Sequence, residues 1–519
     1  MKTFHPRRRQ AAAIFLLLLT KGLPLIGQLG PTPSSSQGTL ATQLPLYGTT
    51  GQSGSVEAVQ SPVPGATSSV NTLNTSIQTT GPYSGSTTST VKMLFTGNLG
   101  FMEAIQRGLD FNLGASGVAQ AMRQSHGQEK VARSALLPNL SATGSETIQQ
   151  TNLRIAGIQF RTAIPGVSIP SIVGPYNYFD LRAHLTQTIG DMTSWKNYRS
   201  SQELARSNEF AMKDARDLVV LAVGGSYLQV VAARARVISE EAQLATATAL
   251  YQQAAQQRGV GLVAQIDVNR SRVQMLTEQE RLESLRNDLA KQKINLARMT
   301  GLPVNDNYEI ADDVAFSPAP EINIEDALRQ AYSRRQDLKA FAAQAHAAEL
   351  AKSAAHAERL PSLAVNADYG VNGINPNQSH GTFSATATVT VPLWRGGRTE
   401  GDIQQAEATY AQRQSELGNM HAKIESDIRN AYLDLQAATN QVTVAEENLK
   451  VTKETLELTR QKFQSGVSDN VEVIQAQESV AGAELDYINS VFAHNLAKLS
   501  LARAIGGAAD QLPQFLKLP

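Results

Sequence analysis

Apolar side chains return every seventh residue along three stretches of the chain: Val223, Val230, Val237, Leu244 and Tyr251; Val268, Met275, Leu282, Leu289 and Leu296; and Leu435, Val442, Leu449, Leu456 and Phe463. Heptads sustained over this length predict helices that supercoil against other helices. Beside the last series stand Ala438, Ala445, Thr452 and Thr459, small side chains that let neighbouring helices approach closely. Written as one helix, residues 398–463 span about 100 Å at 1.5 Å per residue. No single globular core needs such a helix, so the seams must be buried against one another or against copies of the chain.

A second period, of two, marks short segments between the heptads. In GTFSATATVTVPLW (381–394), Phe383, Ala385, Ala387, Val389, Val391 and Leu393 share one face, and Ser384, Thr386, Thr388 and Thr390 the other. In 178–189, Phe179, Leu181, Ala183, Leu185 and Ile189 oppose Asp180, Arg182, His184, Thr186 and Thr188. Leu363, Val365, Ala367, Tyr369 and Val371 repeat the pattern, and 137–149 follow it less cleanly. This is the period of a half-buried strand. A soluble sheet with one wet face has it, and so does a membrane barrel built of strands about ten residues long.

The two periods occur in the same order twice. SALLPNL (134–140) is echoed by AERLPSL (357–363), LTQTIGDMTSW (185–195) by VTVPLWRGGRT (389–399), and QQRGVGLVAQIDV (256–268) by RQKFQSGVSDNVEVI (460–474). Each half is expected to run helix, strand, strand, long helix, turn, long helix. The expected organisation is a signal peptide (1–27), a Ser/Thr/Gly/Pro-rich arm (28–93), a first repeat (94–300), a linker (301–322), a second repeat (323–507) and a tail (508–519). Four strands cannot close a barrel, and an open edge is not tolerated in lipid. Two chains would supply eight strands and three chains twelve.

The signal peptide is read from Arg7, Arg8 and Arg9 ahead of the apolar run Ala11–Leu19, which is too short to span a bilayer. No other stretch is expected to reach the roughly 20 apolar residues of a membrane helix. From Pro31 to Thr90 the only charged residue is Glu57, and the segment is expected to be disordered for want of apolar surface to bury. The 46 basic and 46 acidic side chains cancel, so no overall field draws the chain to nucleic acid. The absence of cysteine removes disulfides, thiolate metal sites, cysteine nucleophiles and a lipoprotein-type acylated N-terminus.

Candidate chemistry narrows to one motif. Gly259, Gly261 and Ala264 fit G-x-G-x-x-G/A, the dinucleotide-binding fingerprint. That loop needs a strand before it, whereas here a heptad helix ends in YQQAAQQR. Its counterpart, Gly466-Val467-Ser468-Asp469-Asn470, lacks the second glycine. Gly259 and Gly466 therefore read as helix-stopping residues able to take positive φ, with Asp267, Asp469 and Asn470 placed to cap the next helix or meet its dipole. The eight histidines form no ligand cluster and no G-x-S-x-G elbow is present. Lone acids such as Glu425 and Asp427 read as solvated helix faces. No catalytic residue, cofactor or metal site is expected.

The duplicated plan, the Leu137-Pro138 and Leu360-Pro361 strand starts, VPLWRGGR (391–398) and the tip RGVGLVAQIDV (258–268) together resemble the TolC-type outer membrane efflux proteins, over about residues 95–507. The resemblance implies a mainly α fold with a membrane β-barrel. Three chains would form a homotrimer with a twelve-stranded barrel in outer membrane lipid, continuous with a coiled-coil tunnel in the periplasm of a Gram-negative bacterium. It also implies a passive exit duct that docks on a periplasmic adaptor (membrane fusion) protein and, through it, on an inner-membrane pump or secretion ATPase. Gly259, Val260, Gly261 and Leu262 match the docking tip of the first hairpin, with Gly466 and Val467 their counterparts. Glu472 matches an acid that rings the closed mouth, where three carboxylates about one axis would favour cations. Gln475 is neutral where a second acid can stand, and Ser468 replaces a basic residue, so Asp267 lacks its expected partner. The alternative is a soluble periplasmic coiled-coil adaptor or scaffold, which accounts for the heptads but not for two matching pairs of strands.

Overall fold

The structure, a computed structural model, describes residues 54–63, 72–87, 97–153, 171–261, 263–304, 308–312, 315–320, 322–465, 467 and 470–516. In chain order, a hairpin of β1 (Val56–Val63) and β2 (Thr72–Thr79) precedes β3 (Asn98–Leu99), α1 (Phe101–Phe111) and α2 (Leu113–Ser134). Then come β4 (Asn139–Asn152), β5 (Ile172–Gly190), α3 (Met192–Gly259) and α4 (Gln265–Thr300). A short β6 (Glu309–Ile310) leads to α5 (Ile324–Arg334), α6 (Gln336–Ala357), β7 (Ser362–Gly373) and β8 (Ser379–Thr390). The chain continues through α7 (Arg398–Gln464), α8 (Asn470–Ile505) and α9 (Ala508–Phe515). Helix–strand–strand–helix–helix is thus the order from α2 to α4 and again from α6 to α8.

Local chemistry sets the boundaries. Asp191 ends β5's run and caps α3, its side chain accepting from the Thr193 N–H at 2.9 Å. Asn323 caps α5 by accepting from Glu325 N–H at 3.1 Å. Gly301 stops α4 with φ +70°, a conformation cheap only for glycine. The Gly396-Gly397 pair of VPLWRGGR takes φ +63° and +84° and turns the chain from β8 into α7. That helix is 67 residues long, about 100 Å at 1.5 Å per residue.

The strands form one antiparallel sheet in the order β4-β5-β7-β8. Among the described residues two large cores and a smaller one near the hairpin tips lie among the helices. The first packs Leu99, Phe101, Val219, Val223, Tyr227, Leu296 and Leu499, with the Phe101 edge on the Tyr227 ring at 5.3 Å and the Tyr227 hydroxyl donating to Leu99 O at 3.0 Å. The second packs Leu328, Ile424, Ile428, Leu435, Leu501 and Ile505. Each such side chain contributes about 1.5–3 kcal/mol by leaving water. Ion pairs and one charge-assisted hydrogen bond then tie five helices together. Arg335 donates to Asp337 at 2.6 Å and to Asp427 at 2.9 Å, Arg503 donates to Asp214 at 2.6 Å, and Asp217 accepts from Ala509 N–H at 2.9 Å.

Five expectations need correction. Part of the arm is ordered: β1 pairs with β2, Val56 and Tyr83 enter the first core, and Ile77 packs against it. The strands need little apolar surface of their own because they are laid on a core built by other residues. Asp427 is not merely solvated, since it is the partner of buried Arg335, whereas Glu425 does pair only with exposed Arg429. One stretch of α3 is long and apolar enough to cross a membrane, but most of it is buried in the protein's own core. The expected tail is largely α9, whose Phe515 and following Leu516 are buried. The expected linker is also fastened: β6 pairs in parallel with β3, and Lys498 donates to Ser317 O at 2.9 Å and to Ser317 Oγ at 2.8 Å. The expected signal peptide lies outside the described residues.

Candidate functional site

The sheet has two unlike faces. Register aligns Leu140 with Leu185, Ala183 with Tyr369, Leu181 with Val371, Tyr369 with Phe383 and Leu363 with Val389. Directly paired residues share a face, so the odd positions of β7 and β8 continue one apolar surface across all four strands. Leu140, Ile148, Leu181, Tyr369, Phe383 and Val389 on it are exposed. Where the sheet gives way to α7, Leu393 is 94 % and Trp394 88 % exposed. The opposite face carries Ser, Thr, Asn and charge: Arg182 pairs with Asp368 and with Asp180, donates to Thr382 Oγ1 at 3.3 Å, and lies beside a Thr143–His184 hydrogen bond of 3.0 Å. Asp368 is absent from the sequence reading. Its even position in β7, register partner of His184, was the available signal. Among the described residues, β4 and β8 each leave one edge of the four-stranded sheet unpaired.

The turns between α3 and α4 and between α7 and α8 hold the second group of residues. Gly259 is the last residue of α3, and the positive φ falls two residues on, at Gly261 (+77°), so the expected role of Gly259 passes to Gly261. Gly261 N–H donates to Arg258 O at 3.0 Å and Val467 N–H to Lys462 O at 3.0 Å. Val260 and Val467 are 73 % and 78 % exposed. A side chain added at Gly259 or Gly261 would meet nothing within 4 Å, which leaves the backbone there open to a partner. Leu262, Gly466, Ser468 and Asp469 lie outside the described residues.

Asp267 stands in the first turn of α4 and pairs with Arg270 at 3.6 Å; α4 is capped by Ala264 without a side-chain bond, so Asp267 meets the helix dipole and not the cap. Glu472 and Gln475 are exposed one turn apart at the start of α8. Just beyond them the hairpins meet: Leu250 of α3 and Phe463 of α7 pack on Leu456, Val473, Ala476 and Val480. A cleft of about 410 Å³ opens beside Leu250, Phe463 and Arg460.

Sequence reasoning missed Glu484. It accepts from Ser239 at 2.5 Å and Gln243 at 3.2 Å on α3, and from Lys453 at 2.9 Å on α7, so one carboxylate on α8 fastens both hairpins. Burial alone would raise its pKa, but the Ser239, Lys453 and Gln243 hydrogen bonds outweigh burial and hold it below the usual range. Asp337 is likewise held low against its burial, by Arg335 first and by Arg503. Among the described residues no group of three or more metal-ligating side chains converges.

The family model described as outer membrane efflux protein matches the chain twice, at residues 116–302 and 327–507. Outer membrane protein TolC of Vibrio cholerae serotype O1 is 24 % identical over 399 residues, covering 73 % of this chain and 84 % of that protein. Outer membrane protein OprJ of Pseudomonas aeruginosa is 23 % identical over 423 residues, 78 % of this chain and 84 % of its own length. Among solved structures, the Campylobacter jejuni CmeC outer membrane channel superposes with a TM-score of 0.70 at 16 % identity, over 79 % of this chain and 86 % of its own. The outer membrane protein VceC of Vibrio cholerae gives 0.69 at 17 % identity, over 78 % and 96 %.

Proposed function

Because this chain belongs to the outer membrane efflux protein family, we propose that it is the passive exit duct of a tripartite efflux or type I secretion system. It is an efflux channel of the outer membrane, and the soluble adaptor reading is set aside. The chain catalyses nothing in this account. Transport is driven by an inner-membrane pump or secretion ATPase reached through a periplasmic adaptor.

One observation carries the assembly: a four-stranded sheet with an apolar face, a polar face and two unpaired edges, β4 and β8. Lipid offers no partner to edge N–H and C=O groups. Copies of the chain satisfy them by joining β8 of one to β4 of the next, and three copies close a twelve-stranded barrel. The apolar face then meets lipid, Trp394 sits near its boundary, and Arg182, Asp180 and Asp368 line the lumen. We read the two family matches as a duplication that supplies two strands and one helical hairpin per half. Exposed Val444, Val451 and Leu458, seven apart on α7, suit packing against a neighbouring copy in the tunnel.

The tips carry the coupling. Val260, Gly261, Leu262 and the Gly259 backbone, with Gly466 and Val467, form the adaptor-docking surface. Glu472, with neutral Gln475 one turn on and Asp267 committed to Arg270, forms a gate of one acidic ring. The test of assembly exploits the cysteine-free background. Cysteines scanned along β4 and β8 should cross-link under oxidation into a ladder that ends at three chains. A ladder ending at two, or no cross-linking from folded protein in outer membranes, would contradict the barrel.

A further inference from the structure

Glu240 on α3 and Glu278 on α4 face each other inside the first hairpin, each only 3 % exposed. Carboxylate oxygens can only accept hydrogen bonds. Two buried carboxylates this near repel each other, so a proton on one of them relieves the pair. The oxygens of Glu278 accept from Gln274 Nε2 at 2.6 Å and Arg281 Nη1 at 3.2 Å, which leaves the proton to Glu240. Glu240 holds the proton, and its Oε1 is buried without a hydrogen-bond partner. An unpartnered oxygen at this depth is tolerable on a neutral carboxyl and costly on a charged one.

We infer that Glu240 and Glu278 form a proton-held clasp: one proton keeps α3 closed on α4, and its loss in mild alkali loosens the first hairpin. The neighbouring charges do not replace it. On α4, Arg281 is already engaged by Glu278, and on α3 Glu241 is paired with Arg286 at 2.8 Å. On the α8 side, Arg236 donates to Asn489 at 2.6 Å, and Glu484 is held by Ser239, Gln243 and Lys453. Burial first, then the Glu278 hydrogen bond and charge, push the Glu240 carboxyl from 4.5 up to about 8. A raised folded pKa gives stabilisation that is complete below about 4.5 and is lost as pH rises through about 8. Glu240 stands nineteen positions, about 28 Å of helix, before Gly259 at the tip.

Hydrogen exchange on the assembled full-length protein tests the clasp, with rates corrected for the intrinsic effect of pH. In peptides covering 236–244 and 274–282, protection should fall about tenfold per pH unit between about pH 5 and 7.5 and level off above about 8. Glu240→Gln, a neutral isostere, should abolish that dependence in these peptides. If this variant fails to assemble, Glu278→Gln serves. It removes the charge facing Glu240, so the levelling point should move to lower pH. Peptides around Ala445 and Ala483 provide the internal control. A wild-type profile that matches Glu240→Gln, or a levelling point unmoved by Glu278→Gln, would overturn the inference.

Discussion

The two long hairpins share one heptad frame and close their seams by different means. Stepping 205 positions carries Val223, Val230 and Val237 of α3 onto Ile428, Leu435 and Val442 of α7, and Val268, Met275 and Leu296 of α4 onto Val473, Val480 and Leu501 of α8. The same step carries Glu240 onto Ala445 and Glu278 onto Ala483, which are 7 % and 2 % exposed. In the second hairpin methyl groups let the helices approach, a contact indifferent to pH. In the first, two carboxyls fill the same place and need a proton between them. A heptad specifies the seam and leaves open what closes it.

The most damaging way to break the comparison is Ala445→Glu. It puts a carboxylate where a methyl group is buried, with no second carboxyl to share a proton, and should cost about 3–5 kcal/mol, read as a lower midpoint of thermal unfolding. Adding Ala483→Glu should restore part of the loss and make the second hairpin as sensitive to alkali as the first. Next is Glu484→Ala, which strips hydrogen bonds from Ser239, Gln243 and Lys453 and should cost roughly 2 kcal/mol at neutral pH. Its pH dependence has the opposite sign to that of Glu240. A depressed carboxylate stabilises above its unfolded value of 4.5 and the benefit is lost as pH falls below it, so the variant's deficit should vanish in acid. Gly225→Ala should cost about 1–3 kcal/mol, since its Cβ would meet Ile77 Cδ1 of the arm at 2.8 Å. One frame-step on, Asn430 is exposed and Asn430→Ala should be nearly silent. Smallest in stability is Val467→Ser at the exposed tip, within about 0.5 kcal/mol, yet it should weaken capture by an adaptor in a pull-down from membranes.

Periodicity made the long elements legible. The alternating run at 381–394 became β8 and the turn after it, and the heptads of 398–463 became a single helix ending at Gln464. These patterns are strong because each repeats many times within one element. The arm was illegible for the converse reason: among the described side chains, β1 and β2 lend Val56, Ala58 and Ile77 to a core others build. Its trace in the sequence lay elsewhere, in Gly224-Gly225 within a helix. Residues that bond across elements were the other blind spot. Arg335 with Asp427, Glu240 with Glu278, and Glu484 with Lys453 are each distant in sequence and ordinary in type, so only the packing brings them together. At the tips the glycines were found, but the turn at Gly261 came two residues later than the helix-stop reading had it.

Single-channel recording of the purified protein in a planar bilayer tests the central claim, that copies of this chain form a passive duct with an acidic mouth. The account predicts small cation-selective steps without any energy source, and a larger conductance or reduced selectivity in Glu472→Ala. Protein that is folded and inserted, yet passes no current in either form, would contradict it.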